Sequence, residues 1–161
     1  MPGYARTFSS GRGAVLLGLA GAGSALVAAL HAVIIVVGAP GYRYFGAGEE
    51  MARADELGSL QPALVTAGLT LVFAAWAAYG FSGARIVRRL PLLRTGLLTI
   101  GTIYALRGLA CVPEAWWLVA GRTPPVLPRQ LVFSAVSLAI GLAYLVGTRR
   151  DWSTLGERNS T

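Results

Sequence analysis

Lysine is absent from this sequence, and histidine and cysteine occur once each, as His31 and Cys111. These scarcities close off several kinds of chemistry. Thiol–disulfide exchange needs paired thiols, and a lone cysteine forms no intramolecular disulfide and leaves the redox compartment unread. Bis-histidine haem needs a second histidine, and a retinal Schiff base needs a lysine. A zinc site wants three or four His, Cys or carboxylate ligands. No metal and no cofactor are therefore expected. No Ser-His-acid arrangement is spelled out, and the acid that four-helix multidrug exporters carry in their first span is replaced by His31.

Charge is scarce as well. Charged residues make up 13% of the chain, about half the roughly 25% of a soluble domain. What fills the sequence is apolar: 55% hydrophobic residues and a mean hydropathy of +0.60. They fall in four runs, at about 14–38, 60–81, 92–112 and 130–147. A bilayer core about 30 Å thick takes roughly 20 apolar residues as a helix. The expectation is an all-α polytopic membrane protein in a single domain, with four transmembrane helices in an antiparallel up-down bundle. The first run, about 24 residues long, exceeds the 7–15 of a signal peptide and lacks a small-x-small end, so it reads as a retained helix.

Arginine sets the orientation. Arg6 and Arg12, then Arg85, Arg88, Arg89 and Arg94, then Arg149, Arg150 and Arg158 share one side. Arg43, Arg53, Arg122 and Arg129 share the other. Retained basic segments mark the cytoplasm, which places both termini and the turn 82–91 inside and the loops 39–59 and 113–129 outside. After Asp151 and Glu157 are subtracted, the inner face carries the whole formal excess of +7. Topology and contact with anionic headgroups account for that charge, and nucleic acid is not expected as a partner. Arginine in place of all lysine fits a GC-rich bacterial source, hence a bacterial plasma membrane.

In the outer loop, residues 49–57 read as a short helix, with Glu49 and Glu50 at its positive end and Gly58 stopping it. Trp116 and Trp117 mark a headgroup belt. Small residues predict close helix contacts in the first span: Ala14, Gly18 and Ala22 in one row, Gly21, Ala25 and Ala29 in another. Gly21–Ala22–Gly23 lies inside an apolar run with no strand before it, so it is no phosphate loop. Polar residues also form stripes expected to face inward. They are Gly21, Ser24, Ala28, His31 and Gly38; Thr66 and Thr70; Tyr104, Arg107, Cys111 and Glu114; and Gln130, Ser134, Ser137, Gly141, Tyr144 and Thr148. Interhelical Ser and Thr hydrogen bonds explain much of this seam without a ligand.

Two residues resist a purely structural reading. Apart from Arg94 at the very start of the third run, Arg107 is the one strongly charged residue within a run, at a cost of about 2.5–3.5 kcal/mol if central. It either snorkels to the outer boundary or pairs with Glu49, Glu50 or Glu114. His31 lies at a similar depth and either donates to a neighbouring helix as a neutral ring or contacts a ligand or proton. The candidate ligand-binding set is His31, Arg107, Tyr104, Glu49, Glu50, Tyr42 and Ser134, in the outer half of the bundle.

The segment Tyr-Arg-Tyr-Phe-Gly-Ala-Gly-Glu-Glu-Met-Ala-Arg at 42–53, with Ser-Gly-Ala at 82–84, Arg-Leu-Pro-Leu-Leu-Arg at 89–94 and Tyr-Ala-Leu-Arg-Gly at 104–108, resembles a group of small bacterial four-span membrane proteins. It is similar to DoxX-like proteins in helix number and loop placement alone. The resemblance implies the topology and no particular activity. The functional expectation is a non-enzymatic protein binding a membrane lipid, a small amphiphile, a membrane partner or a second copy of itself. A proton-coupled transporter using His31 and Glu50, and an enzyme on a lipid-linked substrate with Glu49 or Glu50 as base, are the alternatives.

Overall fold

The structure, a computed structural model, describes residues 11–109, 112, 113, 116, 119–121 and 128–156. Cys111, Glu114 and Trp117, each part of the sequence reading, lie outside them. Every regular element among the described residues is helical: α1 (Arg12–Val37), α2 (Ala39–Phe45), α3 (Glu49–Glu56), α4 (Gln61–Gly83), α5 (Leu93–Leu109), α6 (Pro128–Arg150) and α7 (Trp152–Gly156). Three of them are long and apolar enough to cross a membrane: α1, α4 and the Arg129–Arg150 part of α6. α5 has 17 residues, about 25 Å of helix, and falls short of that length.

The segment 39–59 holds two helices where one was expected. Pro40 stands in the first turn of α2, where the missing N–H of a proline costs nothing. Gly38, at φ 72°, turns the chain out of α1, and the carboxylate of Asp55 accepts the Ala39 N–H at 2.8 Å. An acid from α3 thus caps α2. α3 occupies 49–56, with Gly58 in the left-handed region behind it. At the other end of α4, Ile86 N–H reaches back to Phe81 O at 2.9 Å. That is the wrap of a helix C-cap, with Arg85 at φ 63° in the left-handed place glycine normally takes.

α1 packs most extensively on α4, α5 on α6, and α1 joins the two pairs through α6, while α4 and α5 touch sparsely. Facing residues run in opposite senses along each pair. Leu17 meets Gly83 and His31 meets Phe73; Gly13 meets Gly147 and Gly23 meets Ile140; Gly101 meets Leu145 and Gly108 meets Leu138. The closest approach of α1 and α4 is glycine on glycine, for a Cβ on Gly80 would lie 2.5 Å from Gly21 Cα. Small residues allow such backbone contact where lipid supplies no hydrophobic drive between helices. Of the two rows expected to make helix contacts, Gly21 and Ala14 are buried, whereas Ala22 and Ala29 are exposed.

The exterior is apolar and the interior carries the hydroxyls. Leu26, Val36, Leu64 and Leu71 are 69–87% exposed, while Ser24, Ser134, Tyr144 and Thr148 are buried to within 1%. A soluble fold has the reverse arrangement. The stripes of α1 and α6 do face inward, but less of their hydrogen bonding crosses between helices than expected. Thr66, Thr70 and Ser137 each donate to the carbonyl four residues back in their own helix, the local alternative open to Ser and Thr. Among the described serines and threonines, Ser24 and Ser134 are those whose hydroxyls bridge two long helices.

Candidate functional site

In the middle of the fold Ser24 and Tyr144 share a hydrogen bond at 3.0 Å, and the Tyr144 hydroxyl donates to Trp76 O at 2.8 Å. One side chain of α6 therefore ties α1 to α4. Tyr104 stacks on Tyr144 with ring centres 6.2 Å apart and meets Trp76 edge-on at 5.1 Å. Its hydroxyl is buried beside Ser24 but outside hydrogen-bond geometry. Phe73 links this cluster to His31, at 6.1 Å from Tyr104 and 4.9 Å from the imidazole. The result is a ladder of aromatic rings rising from the centre of the fold towards the C-terminal end of α1.

His31 bonds through Nδ1 to Val27 O of its own helix at 2.8 Å. The expected donation to a neighbouring helix is replaced by a local bond. A carbonyl partner requires the proton on Nδ1, which leaves Nε2 of the neutral ring as an acceptor. Residue spacing puts His31 six positions from the end of α1, about 9 Å.

Arg107 lies near the end of α5 with its side chain exposed, and Nη1 donates to Ser134 Oγ at 3.3 Å. Ser134 is its hydrogen-bond partner among the described residues, so the guanidinium is held by a neutral group. Leu106, Ile103 and Val136 around it on α5 and α6 are themselves exposed. The glutamates expected to meet it are engaged elsewhere or stand apart. Glu49 binds Arg43 Nε at 2.9 Å and Nη2 at 3.0 Å and also takes Arg53 Nε at 3.2 Å. Glu50 is exposed, and Glu114 lies outside the described residues.

Arg43 organises the α2–α3 segment. It forks between Glu49 and Glu56, the latter at 2.6 Å, which clamps α2 to α3. Hydrogen bonds from Arg43 hold the Glu49 carboxyl down to about 2, with Arg53 adding to the effect. The same guanidinium lowers Glu56, and the two acids raise Arg43 in turn. A carboxylate held that low is a poor proton acceptor, so Glu49 is ill suited to act as a base. Tyr42 sits under this clamp, 1% exposed, packed with Ile34, Ala39 and Ala52. On the far side, Arg129 lies over the Tyr44 ring at 4.9 Å and Phe45 meets Phe133 at 5.7 Å, so the α2–α3 segment rests against the start of α6.

The seven sequence-derived residues thus fall into separate places. Arg107 and Ser134 come together, and His31 and Tyr104 are joined through Phe73. Tyr42 belongs to the core of the α2–α3 segment, Glu49 to the Arg43 clamp, and Glu50 to the surface. Arg43, Glu56, Asp55, Phe73 and Trp76 escaped the sequence reading. The Arg43 clamp depends on the turn between α2 and α3, and Trp76 contributes a main-chain carbonyl that leaves no sequence signal. Compared with protein-family models, curated proteins and solved structures, the chain matches none.

Proposed function

We propose that the chain is a four-span protein of a bacterial plasma membrane, with both termini in the cytoplasm, which binds an anionic lipid or small amphiphile in the outer half of the bundle without transforming it. Supporting the fourth span, helical residues recur past α5 at Val112, Pro113 and Trp116. The resemblance to bacterial four-span proteins and the arginine distribution support the orientation.

The observation that carries the binding reading is Arg107. An exposed guanidinium on an apolar surface, paired with a neutral hydroxyl, retains its full charge for a phosphate or carboxylate. Such a group is matched by its planar donors and strengthened by low local dielectric. Ser134 is six positions into α6, about 9 Å, so the charge stands near the headgroup boundary. The Nε2 acceptor of His31 and the rings of Phe73 and Tyr104 offer the neutral part of the contact to an amphiphile.

Native mass spectrometry of detergent-purified protein tests this. Wild-type protein should retain an acidic lipid, and Arg107→Gln should reduce retention about fivefold, the equivalent of one interfacial cation. Ser134→Ala should give a smaller loss, because the charge remains and its orientation loosens. Retention in Arg107→Gln equal to wild type refutes the reading.

A further inference from the structure

At the opposite end of the fold the chain builds two adjoining hollows. One, about 630 Å³, is bordered by Arg89, Pro91, Arg94 and Thr95 at the start of α5 and by Leu155 and Gly156 of α7. The other, about 570 Å³, is a groove between Leu98 of α5 and Leu145 of α6, with Arg149 and Trp152 at its rim. Their common wall is a stack, Arg94 over the Trp152 ring at 4.5 Å. Arg94 also donates to the carbonyls of Trp152 and Ser153, and Arg89 to that of Leu155. These bonds fix α7 across the end of α5, so the wall is built in.

The surroundings are basic. Arg85, Arg88, Arg89, Arg94, Arg149 and Arg150 cluster at this end, and Asp151 is the one acid there among the described residues. Its carboxylate is turned towards Gly11 and Gly13 at the start of α1, where a helix N-terminus favours negative charge. Arg149 is exposed and has no ion-pair partner among the described residues. Beside it the groove is apolar, with Leu98 reaching the surface.

A polar, cationic hollow joined to an apolar groove matches a molecule with an anionic head and a hydrocarbon tail. We infer that this end holds one anionic phospholipid of the cytoplasmic leaflet, its phosphate at Arg149 beside the Arg94–Trp152 stack and one acyl chain along Leu98 and Leu145. The inference rests on the cytoplasmic placement proposed above and adds a second lipid, in the other leaflet and on other residues. Electrostatic attraction to the anionic inner leaflet is worth about 1 kcal/mol per arginine near the surface, or about fivefold in binding. The Trp152 ring, at the junction of apolar and polar space, suits the interface.

The test uses the full chain in mild detergent, titrated with phosphatidylglycerol or with phosphatidylcholine of the same acyl length and read by native mass spectrometry. Phosphatidylglycerol should bind at least fivefold more tightly. Arg149→Gln should remove that preference when made in an Arg107→Gln background, where the other anionic site no longer contributes, and Leu98→Trp, which fills the groove from an exposed position, should weaken both lipids. Arg107→Gln alone should leave the preference in place. Thermal melts confirm that each variant is folded. Equal binding of the two lipids, or Arg149→Gln and Leu98→Trp both binding like their parent proteins, overturns the inference. So does displacement of phosphatidylglycerol by millimolar inorganic phosphate, which marks a free-anion site, or a dimer dispersed by Leu98→Trp, which marks a second copy as the occupant. A C-terminal fluorescent reporter that reads outside the cell refutes the topology instead, so the two failures are distinguishable.

Discussion

An alanine at Gly80 probes the way α1 and α4 are held together. Its Cβ would stand 2.5 Å from Gly21 Cα, 2.7 Å from Gly21 N and 2.9 Å from the Tyr144 hydroxyl. Carbon atoms rest about 3.5–4.0 Å apart, and two of these neighbours are backbone atoms that no rotamer change can move. The helices must therefore part by about 1 Å. Overpacking of this kind costs about 1–3 kcal/mol. The same movement stretches Ser24–Tyr144 and Tyr144–Trp76, each bond worth about 0.6 kcal/mol in a membrane protein. Helix propensity returns up to about 1 kcal/mol when glycine becomes alanine, so the net loss should be about 1–3 kcal/mol. Gly68 on the same helix is the control, because an added Cβ there meets nothing within 4 Å. Gly68→Ala should be neutral or slightly stabilising, giving a gap of about 1–4 kcal/mol between two chemically identical changes. Reversible unfolding of both variants in mixed micelles measures it. A gap below about 0.5 kcal/mol would show that the close glycine contact does not hold the pair.

Three further outcomes follow from other parts of the fold. Arg85→Gly should stabilise the protein by up to about 1 kcal/mol, because a left-handed residue at φ 63° loses its steric penalty; a lower midpoint in the same unfolding assay contradicts this. Tyr144→Phe should cost about 1–2 kcal/mol by removing a hydroxyl shared with Ser24 and Trp76 and leaving Ser24 unpaired in the interior, and wild-type stability counts against the bridge. Glu49 has a folded value of about 2 against 4.5 for a free carboxyl, so its contribution is complete above about pH 4.5 and is lost as pH falls towards 2. Hydrogen exchange in 39–57, corrected for intrinsic rates, should rise over that window while α1 stays protected. Flat protection, or the same rise in Arg43→Gln, removes the clamp from the explanation.

Much of the architecture was legible because hydropathy and helix length are coupled in a bilayer. The runs at 14–38, 60–81 and 130–147 correspond to α1, α4 and α6, each displaced by a few residues where polar end residues still fit a helix. The inward stripes of α1 and α6 were readable for the same reason, since a period of 3.6 puts Ser24, Ala28 and His31 on one side. α2 was not, because Pro40 looks the same in sequence whether it breaks a helix or begins one. The site was harder still. Its partners are set by tertiary placement: Ser134 against Arg107 depends on how α5 and α6 cross, and Arg43 against Glu49 depends on the one turn between α2 and α3, with Gly46 and Gly48 at positive φ. Nothing in the spacing of those residues distinguishes such pairs from the Arg107–glutamate pair the sequence suggested.

α5 shows how far these two levels can diverge. It has the weakest claim to a lipid environment, with 17 residues and an arginine near each end, yet it makes some of the tightest contacts in the fold. A Cβ on Gly108 would fall 2.4 Å from Leu138 N, and one on Gly141 would fall 2.5 Å from Ala105 N. Gly108 and Gly141 thus face α6 and α5 backbone directly, bracketing the buried Tyr104, and Arg107 reaches Ser134 from the same stretch. Dispersion grows with the number of atoms brought within contact distance, so the close crossing compensates α5 for what it lacks in hydropathy. In the proposed four-span arrangement, that crossing also has a functional consequence. Arg107 is one residue from Gly108, so whatever fixes the α5–α6 crossing also fixes the guanidinium at its depth. Gly108→Ala should therefore weaken lipid retention as well as stability, whereas Gly80→Ala, at the α1–α4 contact, should lower stability while folded protein keeps its lipid. Equal retention per folded molecule in Gly108→Ala and wild type would separate the crossing from the site.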